Sequence, residues 1–175
     1  NNYAIWHFLK KCWEKGYLYK GRDSVPWCPR CGTAISQHEI LTQEYKEFTH
    51  DSIYFKLPIV GRDKEYLLVW TTTPWTLPAN IVTAVDQKLD YSQVEDDSGS
   101  KFWVAKSLVD KIFKGKSHKI LKTTKGKKLA GLKYTWAFDN LPKVKEVAAK
   151  SPDNFHRVVL TDDRLMPINI EEGTG

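Results

Sequence analysis

The chain has little of several residue types, and each shortage narrows its class. It has three cysteines in 175 residues, Cys12, Cys28 and Cys31. An odd, sparse set does not make a disulfide framework, so a reduced, cytoplasmic setting is expected. No apolar run approaches the ~20 residues that span a bilayer, so no membrane partner is expected. The opening residues mix Asn, His and Lys, so no secretory leader is expected. There is no internal repeat and no low-complexity segment, which sets aside solenoids and linkers.

Aromatics, by contrast, are plentiful: seven Trp, eight Tyr and seven Phe. Hydrophobic residues make up 41% and charged residues 27%. A chain of this size and composition can bury a core, and disorder does not fit it. The net charge of +6 is compatible with an anionic partner such as nucleic acid, and equally with a basic soluble surface.

Ile5, Phe8, Leu9, Cys12 and Trp13 recur at helical spacing, and Gly16 offers a stop. Tyr17-Leu18-Tyr19-Lys20 reads as a short strand. Trp27-Cys28-Pro29-Arg30-Cys31-Gly32 reads as a tight knuckle. Beyond residue 42 the pattern becomes one of strands. Ile53, Phe55 and Leu57 alternate with polar neighbours up to Pro58. Gly61 to Lys64 is a turn, and residues 66–73 form a second strand, broken by Pro74 and Pro78. Further strands are expected over 81–85, 102–105, 119–124, 131–138 and 155–160. Asp96 to Ser100 reads as a hairpin tip. Ser107 is an N-cap candidate for a helix through Phe113, and residues 143–150 suit another helix. Many short strands with few helices predict an α+β, mainly β chain built on a closed or partly closed β-barrel with short flanking helices. The expected division is a 1–44 segment with a helix and the CxxC knuckle, then a 45–175 barrel.

The sharpest motif is Trp70-Thr71-Thr72-Thr73-Pro74-Trp75-Thr76-Leu77-Pro78-Ala79-Asn80. Side chains alternate along a strand, so Thr71 and Thr73 should share one side and Thr72 the other. Hydroxyls there can donate to or accept from an ester, a ribose or a water, and the Asn80 amide could fix an adenine or ribose. Read for structure alone, threonine suits strands and proline suits turns.

This string is similar to the threonine-rich motif of the editing domains of isoleucyl-tRNA synthetases. Related valyl and leucyl enzymes usually carry Thr-Thr-Arg-Pro at this point, whereas Thr73 stands here in place of Arg. Residues 16–21 and 25–34 resemble the run into the connective insertion of those enzymes. Leu129 to Tyr134 resembles a later strand, and Glu172-Gly173-Thr174-Gly175 its last motif. The resemblance implies post-transfer editing: hydrolysis of valine mischarged on tRNA(Ile). It assigns Thr71, Thr72 and Thr73 to the ester, the terminal adenosine and the attacking water. Trp70 and Trp75 would shape the pocket, and Asn80 would hold the terminal nucleotide. In the family the Gly-Thr-Gly leads to a segment with a His and an Asp, which the sequence does not reach; the barrel is therefore expected to be truncated at its C-terminal end. The implied partners are the tRNA(Ile) 3′ end and the catalytic domain of the same polypeptide, where ATP would bind. Editing itself implies no cofactor. The alternatives are a non-catalytic tRNA-binding barrel and the matching domain of a valyl enzyme.

Cys28 and Cys31 have the spacing of half a tetrahedral zinc site, or of a plain pair of reduced thiols. Lys114, Lys116, Lys119, Lys122, Lys125, Lys127 and Lys128 form a basic run, either a solvated face or a phosphate contact. The five histidines show no metal or triad spacing and read as structural or exposed.

Overall fold

The computed structural model describes residues 1–42, 49–162, 164, 167–168 and 170–175. The chain divides into two compact units, Asn1–Phe48 and Thr49–Gly175.

In the first unit, α1 (Asn2–Glu14) follows the expected helical spacing. It ends as a glycine-terminated helix should: Gly16 takes φ +73°, its N–H donates to Trp13 O, and the Tyr17 N–H donates to Cys12 O. Residues 17–20, expected as a strand, lie outside any ladder. The knuckle is a two-residue hairpin, β1 (Trp27–Cys28) against β2 (Thr33–Ala34). The helix α2 (Gln37–Thr42) starts on a reciprocal cap. The Ser36 N–H donates to Glu39 Oε2 at 2.8 Å and the Glu39 N–H to Ser36 Oγ at 3.3 Å.

The second unit is built on one twisted sheet in the order β3-β4-β7-β6-β8. Its strands are β3 (Ile53–Pro58), β4 (Glu65–Thr71), β6 (Asp90–Asp96), β7 (Lys101–Ala105) and β8 (His118–Lys125). Only the β4–β7 pair is parallel; the other neighbours are antiparallel. A second pair, β5 (Val82–Asp86) and β9 (Arg157–Thr161), is parallel. Alternation sorts the strand residues between two cores. Leu57, Leu67, Val85, Trp103, Ala105 and Val158 meet on one face. Val94, Phe102, Val104, Val109 and Phe113 meet on the other, beneath α3 (Val109–Ile112). This is why Phe102 to Ala105 is an unbroken apolar run: β7 is covered on both sides. Burying a side chain such as Leu57 completely stabilises the fold by roughly 1.5–3 kcal/mol.

Mainly β architecture is as expected, but the described strands do not close a barrel. The sheet continues past β3 through irregular backbone. The Val60 N–H donates to Lys133 O, Thr135 N–H to Pro58 O, Tyr134 N–H to His156 O and Val158 N–H to Leu132 O. Residues 131–135 thus bridge β3 to β9, with isolated pairs Ile59↔Tyr134 and Lys133↔Arg157. The ring stops at β5. After Asp86 the chain turns tightly, with Asp86 Oδ1 accepting from the Lys88 and Leu89 N–H groups, and no ladder joins β5 to β6 or β8 among the described residues. The seam is joined by the Asp86 N–H, which donates to the Tyr91 phenol oxygen at 3.1 Å. Gly126 lies here too; a Cβ on it would stand 2.0 Å from Asp86 O.

The helix expected from Ser107 forms as a 3₁₀ turn over Lys106–Leu108 followed by α3, and Ser107 is inside the turn rather than capping it. Residues 143–150 lie within α4 (Pro142–Lys150), which starts on proline.

Candidate functional site: the threonine loop

The β4 strand carries Leu67 and Val69 toward the inner core, and Thr71 continues that side at the strand's end. Beyond it, Pro74–Ala79 form a 3₁₀ turn whose first residue is proline, because a fixed φ and a missing donor suit that position. Thr76 ties the turn down, since its N–H and hydroxyl donate to Thr73 O at 3.0 and 2.7 Å. β4 ends at Thr71 and the chain bends at Thr72, two residues before the proline, and it is this bend rather than strand alternation that brings the Thr71 and Thr73 hydroxyl oxygens to 3.2 Å. The Thr73 N–H donates to Thr71 Oγ1 at 3.0 Å. Thr72 is half-buried. No charged residue interrupts positions 70–80. The chemistry of the loop's own side chains is therefore that of neutral hydroxyls and backbone dipoles, suited to holding a water or an ester.

The two tryptophans part company. Trp75 is 76% exposed. Trp70 has its ring against the backbone of Gly173, where a Cβ would stand 2.7 Å from the ring and where φ is +77°. A largely apolar cavity of about 300 Å³ lies under β4, lined by Val69, Trp70, Thr83, Val85, Trp103 and Glu172 among others; the threonines themselves do not line it.

Asn80 is engaged with the protein itself. Its amide Nδ2 donates to Val82 O at 3.2 Å, and its Oδ1 accepts from the Tyr134 hydroxyl at 2.6 Å. Burial pushes the Tyr134 phenol above its ordinary value, which keeps it a donor. Four residues that the linear sequence did not single out gather here. Trp136 Nε1 donates to Leu77 O at 2.9 Å. Asp139 Oδ2 accepts from the Trp136 N–H at 2.9 Å, while its Oδ1 lies 3.3 Å from His156 Nδ1. His156 Nε2 sits 3.2 Å from Asn80 O, and the His156 N–H donates to Ile81 O at 2.8 Å. The His156 ring is 4% exposed and stacks on Tyr134 and Phe155. Its backbone is left-handed at φ +47°, a conformation that costs a non-glycine residue roughly 1–2 kcal/mol. Tyr134 lies in a stretch read as a strand, and His156 in one read as structural. Neither reading could show that both reach residue 80.

Cys28 and Cys31 sit at the ends of the knuckle turn. The Cys31 N–H donates to Cys28 Sγ at 3.4 Å, which lowers the Cys28 thiol from its ordinary value. Two thiolates are half of a tetrahedral zinc set, and no group of three or more His, Cys, Asp or Glu side chains gathers among the described residues. The described residues do not make up a complete zinc site. The seven lysines of the basic run are all exposed. Lys125 pairs with Asp90 at 2.9 Å, and Lys122 lies over the Trp103 ring.

A family model described as tRNA synthetases class I (I, L, M and V) matches residues 1–151. The isoleucine–tRNA ligase of Pyrococcus horikoshii is 43% identical over 98% of the chain, and that of Clostridium novyi 42% identical over 77%. The chain spans 16% and 13% of their respective lengths. Among solved structures, GlLeuRS-CP1 is similar in fold, with TM-score 0.52 and 14% identity, covering 71% of this chain and 53% of that one. The chain belongs to the class I tRNA synthetases of the isoleucine, leucine, methionine and valine group, and its sequence is akin to a segment of the isoleucine–tRNA ligases.

Proposed function

We propose that the second unit edits: it hydrolyses the ester of valine mischarged on tRNA(Ile), within a whole isoleucine–tRNA ligase. The observation that carries this reading is the hydroxyl pair of Thr71 and Thr73 at the end of β4, directly after Trp70, which lines a largely apolar cavity. One methylene in a hydrophobic pocket is worth only ~1–3 kcal/mol, a limit for which isoleucyl enzymes are the standard illustration, so a second sieve is needed. In the reaction a water attacks the ester carbonyl, its proton passes to the leaving ribose oxygen, and free valine and uncharged tRNA result. Thr71, Thr72 and Thr73 would orient the ester, the adenosine and the water. Hydroxyls and backbone N–H groups would steady the developing oxyanion. Trp75 would line the approach and Trp70 would back the strand. Asn80 would act chiefly through the loop that it secures, because its amide is already engaged.

The rest of the polypeptide would supply the ATP-dependent synthetic site and much of the tRNA grip in the cytoplasm. No helix among the described residues is long and apolar enough to cross a membrane. Cys28 and Cys31 would contribute to zinc only with ligands from outside the described residues. The test is deacylation of valyl-tRNA(Ile) by the full-length protein, with isoleucyl-tRNA(Ile) as control. Selective loss of the valyl ester is expected, and Thr71→Ala together with Thr73→Ala should slow it by at least about tenfold. Equal hydrolysis of both esters, or of neither, overturns the reading and leaves a tRNA-binding module.

A further inference from the structure

The threonine loop is anchored from one side. Between Leu77 and Ile81, its long-range hydrogen bonds run to three residues, Tyr134, Trp136 and His156. Asp139 accepts from the Trp136 N–H, and its buried Oδ1 lies 3.3 Å from His156 Nδ1 without a hydrogen bond. Each ring nitrogen of His156 therefore faces an acceptor, Asn80 O on one side and Asp139 Oδ1 on the other. The left-handed backbone of His156 is what aims the ring inward while its own N–H reaches Ile81 O. Tyr134 stacks on that ring and reaches the side chain of the same asparagine.

We propose that Tyr134, His156 and Asp139 are positioning residues for the editing reaction, setting the threonine loop through Asn80. The inference rests on the hydrolytic reading above. None of the three need touch substrate. Tyr134 and His156 grip the far end of the 3₁₀ turn, with Asp139 beside the His156 ring, and the near end is fixed by the Thr76 bonds to Thr73 O. A turn held at both ends presents the Thr71 and Thr73 hydroxyls at one spacing, and loosening the far grip lets that spacing wander. A small misplacement of this kind slows the chemical step without weakening binding of the tRNA, most of whose contacts lie elsewhere.

The test uses the full-length protein and measures kcat and KM for valyl-tRNA(Ile) deacylation, the rate of isoleucine charging, and Tm. Tyr134→Phe removes a single oxygen. It should lower the deacylation kcat about tenfold, equivalent to about 1.4 kcal/mol of barrier, with KM within about twofold. Charging and Tm should hold. Combined with Asn80→Ala it should add no further loss, because both act on one link. His156→Asn keeps a residue that tolerates the left-handed backbone but shortens the reach. It should lower kcat similarly, guarding against an uninformative Tyr134 variant. Wild-type deacylation in Tyr134→Phe and His156→Asn overturns the proposal while the editing reading stands. So does a loss that falls on KM alone, or one that charging and Tm share. If the wild-type protein does not hydrolyse the valyl ester, the reading itself fails, and the proposal falls with it.

Discussion

Tyr91 shows how one side chain can join segments that no ladder joins. Its hydroxyl accepts from the Asp86 N–H and donates to Gly175 O at 2.6 Å, so it bridges β5, β6 and the Gly-Thr-Gly segment. Burial pushes the phenol up to about 12 from an ordinary value of 10.0. A raised value means the folded protein prefers the neutral form. The contribution of the phenol to stability is whole below pH 10 and is lost as pH rises through about 12. Tyr91→Phe should therefore destabilise by about 1–3 kcal/mol at pH 9, where the buried Asp86 N–H and the half-buried Gly175 carbonyl lose their bonds. The gap between variant and wild type should narrow by pH 11.5, as read by urea denaturation at both pH values. A constant gap would mean that the hydroxyl does not ionise differently on folding. At this same scale the sequence was only partly legible. Alternation along a strand predicts Thr71 and Thr73 on one side, but β4 ends at Thr71, and their 3.2 Å separation is the work of a bend at Thr72 closed by the Thr73 N–H on Thr71 Oγ1. The engagement of Asn80 was not legible, because its partner Tyr134 lies 54 residues away.

Elements were more legible than single contacts, where a local signal existed. The β6–β7 hairpin turns at the Asp96–Ser100 tip read from sequence, and Gly99 takes φ +76° there. Asp96 Oδ1 accepts from the Ser98 N–H, the Ser98 hydroxyl and the Ser100 N–H, at 2.9, 2.6 and 3.0 Å. The Ser98 hydroxyl, foremost, holds the carboxyl below its ordinary value. Asp96→Ala should cost about 1 kcal/mol, seen as a lower urea midpoint with an unchanged slope, because net hydrogen-bond contributions at exposed turns are of that order. No change in midpoint would mean that the backbone of the tip suffices. The strand expected at 17–20 rests on composition over four residues, too short a stretch to outweigh its surroundings. The strand expected over 131–138 is reduced to isolated pairs at Lys133 and Tyr134. The helix α2 carries a local signal of its own, Ser36 and Glu39 at cap spacing.

At the scale of the whole molecule, the lysine run gives the second unit an exposed basic stretch. Lys119, Lys127 and Lys128 are exposed and carry no ion pair among the described residues. If they touch phosphate, replacing all three with Gln in the full-length protein should flatten the log–log salt dependence of tRNA binding by about two to three units. An unchanged slope would make them a solvated face. The architecture itself was legible only to the level of a mainly β unit. Whether its strands closed was not, since closure depends on which backbone groups meet across long loops. The decisive event is at Asp86, where a side-chain-capped turn ends β5 before it can pair with β6.

The sequence by itself determined the chemistry of the loop: three consecutive hydroxyls ahead of a proline, with no charged residue from 70 to 80. It also determined the strand alternation, because side-chain direction has a period of two residues whatever the fold. The tertiary structure alone decided how the loop is held. Asn80 meets Tyr134 and His156, 54 and 76 residues on, because the stretch 131–135 bridges β3 to β9. Propensities act over a few residues, whereas these bonds arise from backbone pairing between distant segments, and only the assembled sheet brings the partners within reach.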